Sequence, residues 1–189
     1  IYGQFTGAES LPVNGRMGGG YIHSSTNVVG VLGQLRLSFY PGVDFGFIGG
    51  LARVDFTGGN RTTVRLGSDF KVRVYAQGDS FPAAIAFGGA IGLESGDNFH
   101  VLSLGPTLVA SRKFSLGPSA AIVPYAGLTF QFSNVDTGKK TESDFSVPLR
   151  FGSNFVLGPQ LNLALELQLN LGDSFNDDVE LAAGVNVPF

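Results

Sequence analysis

The sequence predicts an all-β fold: a closed antiparallel up-and-down transmembrane β-barrel of about ten strands, with eight as the alternative count. Three observations carry this expectation. The stretch Leu161 to Leu171 reads LNLALELQLNL, with a leucine at every second position and Asn, Ala, Glu, Gln and Asn between them. Side chains alternate faces along a β-strand, so one face is all leucine and the other mostly polar, whereas a helix would scatter the leucines around its circumference. Eleven residues also match the roughly 9–11 that a tilted strand needs to cross a bilayer core. Charged residues make up only 14% of the chain and mean hydropathy is +0.21, against about 25% charged in soluble domains, yet no run of about 18 apolar residues forms a spanning helix. Finally, similar two-faced stretches recur along the chain with turn signals between them.

Taken in order, residues 1–15 form an N-terminal arm, with room for a short extra strand, and residues 16–189 form a single barrel domain. The first strand, 16–25, is glycine-rich with no clear phase. In 28–40, Val29, Val31, Leu35, Leu37 and Phe39 oppose Gln34, Arg36 and Ser38. Pro41-Gly42 turns the chain. In 43–56, Val43, Phe45 and Phe47 alternate, but Val54 and Phe56 have the other parity, which predicts a bulge at Gly49-Gly50 and leaves Arg53 and Asp55 unassigned. Turn residues follow at 57–60. The strand over 62–76 sets Val64, Leu66, Phe70, Val72 and Val74 against Arg65, Asp69, Lys71 and Arg73. That over 82–94 sets Ile85, Phe87, Ile91 and Leu93 against Ala84, Ala86, Gly88, Ala90, Gly92 and Glu94. Strands near 99–110, 118–133, 145–157, 161–171 and 179–189 alternate in the same way, and the longest polar loop falls at 134–144.

The direction of the faces follows from three further features. The polar residues of 62–76 suit an interior where opposite charges pair across strands. The small-residue face of 82–94 makes a poor soluble surface, being flat and uncharged, but fits a narrow lumen beside large neighbours. The connections 95–98, 134–144 and 172–178, rich in Asp and Glu, fall at one end, and the shorter 41–42, 111–117 and 158–160 fall at the other, which is the pattern of long outer loops and short periplasmic turns. The apolar faces therefore point to lipid. Arg36, Arg65, Asp69, Lys71, Arg73, Glu94, Tyr125, Arg150, Glu166 and Glu180 line the lumen, and Glu166 is expected to pair with an inward Arg or Lys. The phenylalanines divide into two rims, Phe56, Phe99, Phe130, Phe132 and Phe145 against Phe39, Phe45, Phe114, Phe155 and Phe189, readable either as interfacial belts or as ordinary apolar surface.

The last strand carries a family likeness. A terminal Phe189 preceded at alternate positions by Val187, Val185, Ala183, Leu181 and Val179 resembles the C-terminal signature of bacterial outer-membrane β-barrels, and the alternation over 16–189 is similar to the small barrels of that class. The resemblance implies an outer-membrane location with both termini periplasmic, contact with outer-membrane lipid, and recognition of Leu181, Val185, Val187 and Phe189 by the barrel-assembly machinery.

Small barrels of that class include proteases, lipid-modifying enzymes, adhesins, channels and structural proteins. The two histidines, His23 and His100, fall near the expected outer rim, with Ser24 and Ser25 after the first and Asp97 and Ser103 near the second, but no spacing is diagnostic of catalysis. Two histidines and no cysteine make no convincing metal site, no cofactor is implied, and GRMGGG at 15–20 lies outside any strand–helix unit that would bind a nucleotide. A net charge of −3 gives no footprint for nucleic acid. The expected role is non-enzymatic: structural, or interactive through the loops 134–144 and 172–178, as a subunit of a larger envelope assembly. The alternatives are a narrow channel for small solutes, a rim-located lipid- or peptide-modifying enzyme, and a soluble lipocalin-like carrier with its leucines inward.

Overall fold

The computed structural model describes residues 5–56, 59–78, 81–97, 99–138, 140–171 and 179–189; part of the expected turn at 57–60 and the acidic connection 172–178 lie outside them. Among the described residues there is no helix, and twelve β-segments form one sheet. They are β1 (Arg16–Ser25), β2 (Val28–Tyr40), β3 (Val43–Phe56), β4 (Gly59–Tyr75), β5 (Ala84–Gly96), β6 (Phe99–Ser111), β7 (Phe114–Ser115), β8 (Ala121–Thr129), β9 (Gln131–Asp136), β10 (Thr141–Gly158), β11 (Leu161–Leu171) and β12 (Val179–Pro188). Segments β8 and β9 are one stave, interrupted at Phe130, since both pair with β6 and with β10. The two-residue β7 only folds back on β8. Ten antiparallel staves remain in up-and-down order, and β12 pairs with β1 from Met17↔Pro188 to Ser25↔Glu180, which closes the barrel.

Alternation runs through the staves and breaks only near their ends, where the register shifts at Leu37/Tyr40, Arg73/Tyr75 and Val156/Gly158, and at the Phe130 interruption. Each sets Leu, Val, Ile or Phe outward, as with Ile22, Leu51, Leu66, Ile91, Leu104 and Leu165, which are 48–62% exposed. A soluble domain rarely exposes an apolar patch above a few hundred Å²; here the apolar surface encircles the molecule, as a lipid-facing barrel requires. The polar alternates are buried, so the interior is the wetter side by chemistry and the dry exterior is the hydrophobic one.

Two expectations are corrected. No bulge occurs at Gly49-Gly50: β3 pairs with β4 without a shift from Val43↔Val72 to Phe56↔Gly59. The apparent change of parity arises because Ile48 and Ala52 turn inward, so inward apolar residues mimic a slipped register; Arg53 and Asp55 project outward beside Asn60 and are exposed. The contrast in loop length also fails. The hairpin β9–β10 continues through residues expected to be loop, with Thr141↔Asp136 and Asp144↔Ser133 in register, leaving 137–140 as the turn. Gly138 adopts φ 73° there, a conformation glycine holds at little cost, and the Thr137 N–H donates to the Lys140 carbonyl. The connections 76–83 and 112–120, at the end that carries Arg16 and Phe189, are longer than 26–27 and 137–140 at the other.

Candidate functional site: a charged lumen filled by the N-terminal arm

All ten residues assigned to the lumen by the sequence face inward. Arg36, Arg65, Asp69, Lys71, Tyr125, Arg150 and Glu166 are buried, and Arg73, Glu94 and Glu180 are partly so. Three tiers of contacts run from the end bearing Arg16 and Phe189 to the far end.

The near tier is ionic. Asp44 and Lys71 are direct cross-strand partners, and Lys71 Nζ lies 3.3 Å from Asp44 Oδ2. Arg36, Gly46 and Asp69 share one row across β2, β3 and β4. Because the middle residue has no side chain, Arg36 Nη2 reaches over it and donates to both Asp69 oxygens, at 2.7 and 2.9 Å. A Cβ at Gly46 would overlap both the carboxylate and the guanidinium. The pair is almost fully enclosed, at 1% and 3% side-chain exposure, so each charge depends on the other for stabilisation.

The middle tier repeats that device. Tyr125, Gly152 and Glu166 form a row across β8, β10 and β11, and the Tyr125 hydroxyl donates over the glycine to Glu166 Oε2 at 2.7 Å. Glu166 faces the lumen, but its side-chain partner is Tyr125, not the expected Arg or Lys. Arg150, whose charge it feels, donates instead to Thr129 Oγ1. The Tyr21 hydroxyl donates to Asn186 Oδ1.

In the far tier, Arg65 Nε lies 3.1 Å from Glu94 Oε1, which also accepts from Thr63 Oγ1 at 2.6 Å. Arg65 Nη1 donates to His23 Nε2 at 3.3 Å, so Nδ1 is the nitrogen facing Glu180 Oε1 at 3.1 Å. His23 is therefore an interior member of a charge network and not a rim residue. His100 is exposed, its Nδ1 3.0 Å from Ser95 Oγ, and its cross-strand neighbour is Asp136, whose Oδ1 accepts the Gly138 N–H at 2.8 Å. Ser103 points inward to Ser133, so the expected grouping of Ser103 with His100 is not formed. Among the described residues no cluster of His, Asp and Glu has the geometry of a metal site.

The feature that sequence reasoning missed is the course of the arm. Residues 5–15 form no strand; 5–11 run inside the barrel, and Pro12, Val13 and Asn14 are exposed at its mouth. The Leu11 N–H donates to Asp44 Oδ1 (3.1 Å), and the Ala8 N–H to Ser111 Oγ (2.9 Å). Lys71 Nζ donates to the carbonyls of Gly7 and Glu9 (2.7 and 2.8 Å). Glu9 Oε2 accepts from Arg73 Nη1 at 2.6 Å, and the Phe5 carbonyl accepts from Asn186 Nδ2 at 3.3 Å. The Phe5 ring stacks on Tyr21 with centroids 3.9 Å apart. Phe5 holds φ 50°, a left-handed conformation that costs an L-residue roughly 1–2 kcal/mol, so its ring and carbonyl contacts must outweigh that cost. Residues 1–4 lie outside the described chain. The only hint in the sequence was an excess of inward donors: Lys71 offers three N–H groups and one carboxylate meets it from the wall.

Comparison with protein-family profiles gives no match, and comparison with curated proteins gives none either. Among solved structures, the beta domain of the Bordetella autotransporter Brka aligns over 94% of this chain and 100% of that one, at 15% identity and TM-score 0.55. A bacterial polysaccharide outer membrane secretin aligns over 93% of this chain and 64% of that one, at 13% identity and TM-score 0.52. What is shared at such identities is the architecture: the chain has the fold of the bacterial outer-membrane β-barrels.

Proposed function

We propose that this chain is a non-catalytic barrel of the bacterial outer membrane that stands closed, its lumen filled by its own N-terminal arm, and that serves a structural or interaction role as part of a larger envelope assembly. The observation that carries the reading is the arm itself: Lys71, Arg73, Asp44, Ser111 and Asn186, from the four staves β3, β4, β6 and β12, all spend donors or acceptors on residues 5–11. Neither histidine supports catalysis in this reading, because His23 is enclosed among Arg65 and Glu180, and the carboxylate opposite His100 is engaged by a turn amide. The end of the barrel that carries Arg16 and Phe189 is assigned to the periplasmic side, with the arm entering the lumen from there; Phe189 and its alternating strand serve as the signal to the assembly machinery, and the partner surface is the opposite end, with the hairpin at 134–144 and the connection 172–178.

Planar-bilayer recording tests the closed state. The full chain is expected to give no stable single-channel steps, and a chain shortened to begin at residue 13 to give them. Steps from the full chain whose size changes with Arg73→Gln would contradict the closed reading and favour the narrow channel.

A further inference from the structure

We infer that the near mouth of the lumen is a binding site for small organic carboxylates, occupied in the closed state by the arm's own Glu9, and that a free carboxylate displaces the arm from it. The inference rests on the closed reading above. Glu9 is the only acidic side chain the arm contributes over residues 5–15, and it sits 2.6 Å from Arg73 with 35% of its side chain accessible and 31% of arginine's. A solute at the mouth can therefore reach this pair without crossing the barrel. Beside Glu9 an open-ended cavity of about 170 Å³ lies between arm and wall, lined by Thr6, Arg36, Asp44, Lys71 and Asn154 among others. That is room for several water molecules or one small solute, a water's share of liquid volume being about 30 Å³. Its lining holds buried polar atoms with no hydrogen-bond partner among the described residues: Arg36 Nε and Nη1, Thr6 Oγ1, Asn154 Oδ1 and Asp44 Oδ2, the last in ion-pair contact with Lys71. Buried polar atoms of this kind are rarely left unmatched in a native protein, and here the residues that carry them line the space that the arm leaves unfilled.

Charge selects the class of ligand. The near tier holds three cations, Arg36, Lys71 and Arg73, and three anions, Asp44, Asp69 and Glu9. Withdrawing the arm removes one anion and leaves the wall one positive charge in excess. It also strips Arg73 of its partner and Lys71 of two carbonyl acceptors. A solute carrying a carboxylate restores the balance and matches the planar donors of Arg73; a cation or neutral solute does neither. The tethered carboxylate already in place shows that the geometry accepts this group.

The chain has no cysteine, so Ser10→Cys takes a single environment-sensitive fluorophore that reports arm position in the full chain in detergent. Succinate is titrated against chloride at constant ionic strength. Succinate is expected to move the label into water at concentrations where chloride does not. Removing the competing charge with Glu9→Gln should lower the succinate midpoint about fivefold, the weight of a partly exposed ion pair, and Arg73→Gln should abolish the difference between succinate and chloride. Both variants are checked for the folded barrel by heat-modifiable migration. A label that starts buried and responds equally to the two anions overturns this inference and leaves the closed reading standing. A label already in water before any anion is added overturns both.

Discussion

Replacing Asp69 by alanine is expected to cost about 3–5 kcal/mol of folding stability, because it leaves the Arg36 guanidinium charged inside the barrel with its paired carboxylate gone. Both Arg36 hydrogen bonds to a side chain end on Asp69, and at 1% exposure the side chain is almost wholly enclosed. Removing both charges together, as in Arg36→Met with Asp69→Leu, should cost much less, since an apolar pair of similar volume needs no compensating charge. Urea-dependent unfolding from lipid vesicles, followed by circular dichroism or gel migration, gives the three values. A loss below about 1 kcal/mol for the single change would mean that the pair is solvated or that Arg36 finds another acceptor.

The second large effect tests the outward face. Leu165 lies midway along β11 and is 52% exposed, so Leu165→Arg places a charge near the bilayer midplane and is expected to destabilise by about 2–4 kcal/mol. Leu161 begins the same strand and faces the same way, yet Leu161→Arg should cost only about 0–1 kcal/mol, because the penalty fades toward the interface. Equal and small costs at both positions in the same unfolding experiment would be the behaviour of a solvent-exposed surface.

Much of the barrel could be read from alternation because a half-lipid, half-lumen strand must obey a period of two. β11 and β12 were legible residue by residue for that reason. Where both faces carry apolar residues the signal degrades: Ile48 and Ala52 inside β3 imitated a bulge, and the glycines of β1 hid that Met17, Tyr21 and His23 face inward. Parity alone also places a residue on the right face without naming its partner. Glu166 was correctly inward by alternation, but its contact with Tyr125 depends on the pairing of three strands around Gly152, and the Arg36–Asp69 pair depends likewise on Gly46. Each inward glycine between two large polar residues permits a bond across two strands, a pattern visible only once the register is known. The arm was least legible of all. FTGAESLPVNG has neither period, and its place is dictated by donors on Lys71, Arg73 and Asn186 that lie 64 to 181 residues away.

The location of that arm is the claim on which the closed state depends, and a cross-link tests it directly. A Cβ built on Gly7 lies 2.9 Å from the Ser111 Cβ, so a shift of under about 1 Å brings the two to the 3.5–4.5 Å that a disulfide spans. Ser111 faces the lumen and is 4% exposed. With no native cysteine to compete, the variant carrying Gly7→Cys and Ser111→Cys, folded into vesicles and oxidised, is expected to form the intramolecular disulfide in nearly every molecule and to remain electrically silent. If the folded barrel leaves the Gly7→Cys thiol free for a bulky membrane-impermeant alkylating reagent and no cross-link forms, the arm lies outside and the lumen is not closed by it.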